Sequence, residues 1–196
     1  NPMIAWRGAS RYMDERFRPA FEMELDAMRS VKYDYGLDNL QLMVPFCRTP
    51  EEGSLVTGLL NEKGVGPASG TDLFVMVELP SNVIEADRFI EMMDLSGGSI
   101  GSNDLVQTVY AVSRDDLEGY QNPIDARSPS VKAMIRDIVG KFNSKGMEIG
   151  ICGQAPSDFP DEFPAFLVDC GITSISVTPD TAVAVRGTVA EAEKRA

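Results

Sequence analysis

Polar side chains recur directly after apolar runs in this chain. Arg7 follows MIAW, Glu78 follows LFVMV, Asn103 and Asp104 follow SIGS, and Cys152 follows EIGI. Short runs of this kind read as buried parallel strands. In a barrel of such strands, the residues at the C-terminal strand ends share one mouth, and chemistry happens there. A cation, two carboxylates, an amide and a thiol in one mouth predict a metal-dependent site for an anionic substrate.

Glu78 and Asp104 are the candidate metal pair. Magnesium takes oxygen ligands, usually one or two carboxylates, with water and substrate oxygens completing the shell. The preference for magnesium over manganese comes from hard-ligand chemistry and not from the residues. Asp104 has a second reading, as a cap of the helix that follows it. Glu78 has one too, as an exposed loop acid. Gly101 and Ser102 can offer backbone N–H groups to an anion, and Asn103 can donate to a phosphate or enolate oxygen.

Arg7 can hold phosphate or carboxylate in a bidentate fork. Arg48 and Arg114 follow strand ends or strand-end motifs as well, and three arginines on one rim suit a substrate with several negative charges. A surface salt bridge is the commoner fate of an arginine. Cys152 reads either as a small buried hydrophobe or as a functional thiol. The chain has no histidine, so a Cys–His nucleophile is excluded within it, whereas a thiol proton donor is allowed. Cys47 and Cys170 are assigned to packing.

These residues need strands and helices to position them. The expected strands are Met3–Trp6, Leu40–Val44, Leu73–Val77, Gly98–Gly101, Glu148–Ile151 and Ser174–Val177. Between them lie amphipathic stretches. Pro19 opens a helix with Phe21, Leu25, Met28 and Val31 on one face, and Gly36 stops it. Thr49 caps another ahead of Pro50, Glu51 and Glu52. Further helices are expected to begin at Pro80, at Ser128-Pro129 and at Thr178-Pro179. The stretch from Gly64 to Thr71 reads as a surface loop, and the one from Asp115 to Arg127 as a polar insertion, a lid over the mouth. Six strand–helix units predict an α/β fold of the (β/α)8 TIM-barrel type, incomplete at the N-terminus by about two units.

Composition sets the outer bounds. The chain has 196 residues, 43% of them hydrophobic, enough for a sizeable core, and a formal net charge of -12. That charge argues against a nucleic-acid-binding surface or an anionic-membrane surface. No apolar run approaches the ~18 residues of a membrane span. Three cysteines without a CxxC pair suggest neither a zinc site nor a disulfide framework, and the expected compartment is a reducing cytoplasm.

The segments NPMIAWRGASRY, LMVPFCRT, VMVELPSN, SIGSNDLVQ, ICGQAPSD and GITSISVTPDT recur in order along the whole chain. Together they resemble the C-terminal barrel domain of the phosphoenolpyruvate synthase (pyruvate, water dikinase) family. The resemblance makes residues 1–196 the pyruvate/phosphoenolpyruvate-binding barrel domain, with neither the ATP-binding nor the phosphohistidine domain in this chain. The family's GLxRxE-type strand is also absent from it. The resemblance implies binding of pyruvate or phosphoenolpyruvate with Mg2+. A phosphohistidine domain of the full-length protein would be a partner, and a homodimer the assembly. It further implies Arg7 on the anion, Glu78 and Asp104 on magnesium, and Gly101, Ser102 and Asn103 on substrate. Cys152 would exchange the proton at the methyl carbon. Two other readings are a non-catalytic dimerisation or scaffold fragment, and a stand-alone metal-dependent lyase or aldolase acting through a pyruvate enolate.

Overall fold

The computed structural model describes residues 4, 6–113 and 124–195. They form an α/β fold with parallel strand pairing. The described residues divide into two units, one of residues 1–76 and 84–97, the other of residues 77–83 and 98–196.

In the first unit, a short helix Ala9–Met13 (α1) precedes the long helix Arg18–Tyr33 (α2). Pro19 sits in the first turn of α2, where its missing N–H costs nothing. Phe21 and Leu25 point from α2 into the core. Strand Gln41–Val44 (β1) follows, and its side chains alternate between exposed and buried. Next comes helix Pro50–Glu62 (α3), opened as the sequence predicts: the Thr49 hydroxyl accepts the Glu52 N–H at 3.2 Å. The Glu52 carboxylate reaches back to the Arg48 N–H at 2.9 Å, so two donors at the helix start are satisfied. Strand Asp72–Val77 (β2) pairs in parallel with β1, Leu42 opposite Leu73 and Val44 opposite Val75. Helix Pro80–Ile84 (α4), whose residues 80–83 belong to the second unit, precedes helix Ala86–Met93 (α5) of the first, and α5 packs against α3.

In the second unit, strand Gly97–Gly101 (β3) runs into helix Ser102–Tyr110 (α6). Helix Pro129–Ser144 (α7) buries Val131, Ile135, Ile138, Val139 and Phe142 and packs on strand Glu148–Cys152 (β4). Two short helices, Ala155–Asp158 (α8) and Phe163–Cys170 (α9), lead to strand Ser174–Ile175 (β5), parallel to β4. Helix Ala182–Glu193 (α10) packs on α9.

The structure corrects several expectations. Among the described residues there are five strands rather than six. At Ile4 and Trp6 the strand expected over Met3–Trp6 is not formed: Ile4 lies in a turn and Trp6 in a bend, while Met3 and Ala5 lie outside the described residues. Local contacts take its place. The Trp6 indole N–H donates to Asp14 at 3.1 Å, and its ring meets Phe17 edge-on. The helix expected from Pro80 onward is two helices. The last helix starts three residues after Pro179, because Thr178 and Thr181 instead close a turn over Ser157. Gly64–Thr71 is a loop holding one 3-10 turn, Pro67–Ser69. Most of the expected lid, residues 115–123, lies outside the described residues.

Candidate functional site

Glu78 immediately follows β2 and is 5% exposed. Its backbone is held from both sides. The Asn82 carboxamide oxygen accepts the N–H groups of Glu78 and Leu79, at 3.1 and 3.0 Å. The Thr108 hydroxyl donates to the Glu78 carbonyl at 2.8 Å. Thr108 belongs to α6, the helix that also carries Asp104, so one hydroxyl ties the two acid-bearing segments together. Asn82 is 2% exposed and sits four residues past the acid.

Asp104 is 9% exposed and occupies the third position of α6. The N-cap position is Gly101, so Asp104 is not the N-cap residue and stands in the first turn instead. A carboxylate in this first turn is favoured by the helix dipole.

Ser102 is fully buried and its hydroxyl donates to the Cys152 carbonyl at 3.0 Å. The hydroxyl thus fastens α6 to the end of β4. The Asn103 carboxamide oxygen accepts the Gln154 N–H at 3.4 Å. Gly153 makes this junction possible. Its φ is +107°, and a Cβ there would collide with the Ser102 hydroxyl.

Cys152 is the last residue of β4 and is half-buried. Burial pushes its thiol up from the ordinary range. A hydrogen bond with Ser99 opposes that shift, and the negative charges of Glu78 and Asp104 push it further up. The thiol therefore lies within electrostatic reach of both acids. It is held in the protonated form, which suits a proton donor and not a thiolate nucleophile.

Arg7 lies in the first unit, with its guanidinium carbon 4.2 Å from the Phe46 ring centre. Arg48 is engaged with the backbone around Arg7. It donates to the carbonyls of Arg7 and Ile4, at 3.3 and 2.6 Å, and to the Ser10 hydroxyl at 2.7 Å. Arg114 lies outside the described residues. Cys47 is buried and its thiol contacts the Thr49 carbonyl at 3.4 Å. Cys170 is half-buried.

Residue pattern alone missed Asn82, Thr108 and Ser99. Asn82 and Thr108 stand four residues after Glu78 and Asp104 respectively, and that spacing is the one signal available for them. Among the described residues no group of three His, Cys, Asp or Glu could hold a metal. Two buried carboxylates remain, a donor set that fits a magnesium ion completing its shell with water and substrate oxygens. No helix among the described residues is long and apolar enough to cross a membrane.

A family model for the PEP-utilising enzyme, PEP-binding domain, matches residues 1–194. The chain is 46% identical over 196 residues to the phosphoenolpyruvate synthase of Aquifex aeolicus, covering all of this chain and 22% of that protein. To the phosphoenolpyruvate synthase of Synechocystis it is 46% identical over 195 residues, 99% of this chain and 23% of that protein. To that of Escherichia coli it is 39% identical over 196 residues, 99% of this chain and 24% of that protein. The chain thus spans under a quarter of the length of these relatives. In fold it is similar to RipC from Yersinia pestis, at TM-score 0.60 and 11% identity, over 90% of this chain and 73% of that one. It is also similar to the citrate lyase beta subunit of M. tuberculosis, solved with oxaloacetate and magnesium, at TM-score 0.53 and 13% identity, over 76% of this chain and 60% of that one.

Proposed function

This chain belongs to the family of PEP-utilising enzymes, as their PEP-binding domain, and we propose that it is the pyruvate/phosphoenolpyruvate half-site of a phosphoenolpyruvate synthase. Its strands then form part of a (β/α)8 barrel whose remaining units lie outside residues 1–196. The TIM-barrel-like fold of its structural neighbours supports that reading.

In this reading Arg7 and Arg114 hold the anionic end of the substrate. Asn103 and the backbone of Gly101 and Ser102 contact it from the start of α6. Glu78 and Asp104 hold Mg2+, which when bound would offset the charge of the enolate oxygen. Cys152 gives a proton to the methylene carbon of the enolate to make pyruvate, and takes one from the methyl carbon in the opposite direction. The phosphoryl group passes between the enolate oxygen and a phosphohistidine on a separate domain of the full-length protein. There the overall reaction converts ATP, pyruvate and water to AMP, phosphoenolpyruvate and phosphate. A homodimer is the proposed assembly.

One observation carries the reading: α6, the helix that holds Asp104, is hydrogen-bonded through Thr108 to the Glu78 carbonyl and through Ser102 to the Cys152 carbonyl, so three residues scattered over 75 positions of sequence are gathered in one compact unit. The test is exchange of pyruvate methyl protons with deuterated water, followed by NMR on the full-length protein with Mg2+. Cys152→Ala is expected to abolish exchange. Exchange at the wild-type rate would remove Cys152 from the proton-transfer role.

A further inference from the structure

Phe46 is fully buried, yet its backbone takes φ +45°. Two other non-glycine residues among those described have positive φ, Asp94 and Ala111, and both cap helix C-termini, where that conformation is common. Phe46 ends no helix. It stands two residues past β1, in the unit that also contains Arg7. A bulky side chain in this region of φ and ψ is an outlier, held only when its surroundings impose it.

The surroundings that impose it are visible. A Cβ on Gly8 would lie 2.5 Å from the carbonyl oxygens of both Pro45 and Phe46. The Arg7-Gly8 backbone and the Pro45-Phe46 backbone are therefore pressed together with no room for a side chain between them. Arg48 stitches the same two segments, since its guanidinium donates to the Arg7 carbonyl and to the Ser10 hydroxyl. The result is a Phe46 ring centred 4.2 Å from the guanidinium carbon of Arg7 and 4.9 Å from that of Arg48. Both distances lie inside the range at which an aromatic quadrupole attracts a cation.

We infer that Phe46 is a positioning residue for Arg7. Its ring is a cation–π seat that fixes the guanidinium at the end of β1, ready for a phosphate- or carboxylate-bearing substrate. The strained backbone is what turns the ring toward the arginine. Arg48, read in the sequence as a third anion-binding cation, instead belongs to the support beneath Arg7. This inference rests on the reading of Arg7 as an anion-binding residue.

The test replaces Phe46 by mono-, di- and trifluorophenylalanine, which drain the ring's negative face stepwise at nearly constant size. Phosphoenolpyruvate affinity is measured by calorimetry on the full-length protein. The expected result is a graded loss, about three- to tenfold in Kd at the trifluoro stage, with the melting temperature nearly unchanged. In an Arg7→Ala background the gradation should vanish. A flat series overturns the role of Phe46, as does a gradation that survives Arg7→Ala, because Arg48 would then be the responding cation. Arg7→Ala alone tests the underlying reading: unchanged affinity there sinks the anion role itself, whatever the fluorinated series shows. If the trifluoro protein fails to fold, the mono- and difluoro variants still give the slope.

Discussion

Replacing Thr108 by Val isolates the link between the two acid-bearing segments. The substitution keeps the branched shape and nearly the same helix propensity, so α6 itself is little affected. The hydroxyl has one hydrogen to give. Its acceptors within reach are the carbonyls of Glu78 at 2.8 Å, Asp104 at 3.0 Å and Leu105 at 3.2 Å. Asp104 and Leu105 are helix residues whose carbonyls accept the N–H four positions on, so they lose little. The loss falls on the Glu78 carbonyl, in a residue only 5% exposed. A hydrogen bond lost next to a buried acceptor costs about 1–2 kcal/mol. For a chain of this size that lowers the melting temperature by about 2–8 °C. In the proposed reading Glu78 holds the metal, and the same bond sets where its backbone sits relative to α6, so Mn2+ affinity should fall about tenfold. Thermal melts and Mn2+ titration by electron paramagnetic resonance read the two effects, and Thr108→Ser should restore both. A variant with wild-type melting and wild-type Mn2+ affinity would refute the linkage. Lower melting with unchanged affinity would confine Thr108 to the fold.

Gly153→Ala tests the β4–α6 junction. The φ of +107° and the collision with the Ser102 hydroxyl together predict a loss of about 2–4 kcal/mol in urea unfolding. Adding Ser102→Ala should recover only the collision part, and full recovery would show that the backbone conformation is not strained for alanine. Cys47 supplies a pH prediction. Burial, aided by the charge of Glu52, pushes its thiol from the usual value near 9 up to about 12. Between those values the unfolded chain loses the proton while the folded chain keeps it, so stability is intact below about pH 9 and is lost as pH rises toward 12. The alkaline fall in denaturant midpoint should therefore be shallower in Cys47→Ala than in wild type, and identical slopes would contradict the buried-thiol account.

What was legible in the sequence, and what was not, follows from how each residue acts. Glu78, Asp104 and Cys152 act through side chains placed by strand ends, and a strand end shows itself as an apolar run that stops. The pattern therefore placed them at the ends of β2 and β4 and at the start of α6. The run at Met3–Trp6 misled because four apolar residues in a row carry no period that separates a strand from a segment folded onto its own neighbours; Trp6 found Asp14 and Phe17 within a dozen residues. Arg48 was less legible for another reason: charge and position say that an arginine can reach an anion, but not that its guanidinium donates to the Arg7 and Ile4 carbonyls and the Ser10 hydroxyl.

Asn82, Thr108 and the role of the Ser102 hydroxyl were least legible because these side chains work through backbone atoms of other residues. Their partners are the Glu78 N–H, the Glu78 carbonyl and the Cys152 carbonyl. Every residue owns such atoms, so composition and periodicity cannot mark which ones will be claimed. Yet these bonds decide whether two carboxylates and a thiol share one space or only one neighbourhood. Each lies within the compact unit that holds Glu78, Asp104 and Cys152. Substitutions at Asn82 and Thr108 should consequently act on binding at this site before they act on its chemistry, whereas Cys152→Ala should act on proton exchange with binding retained.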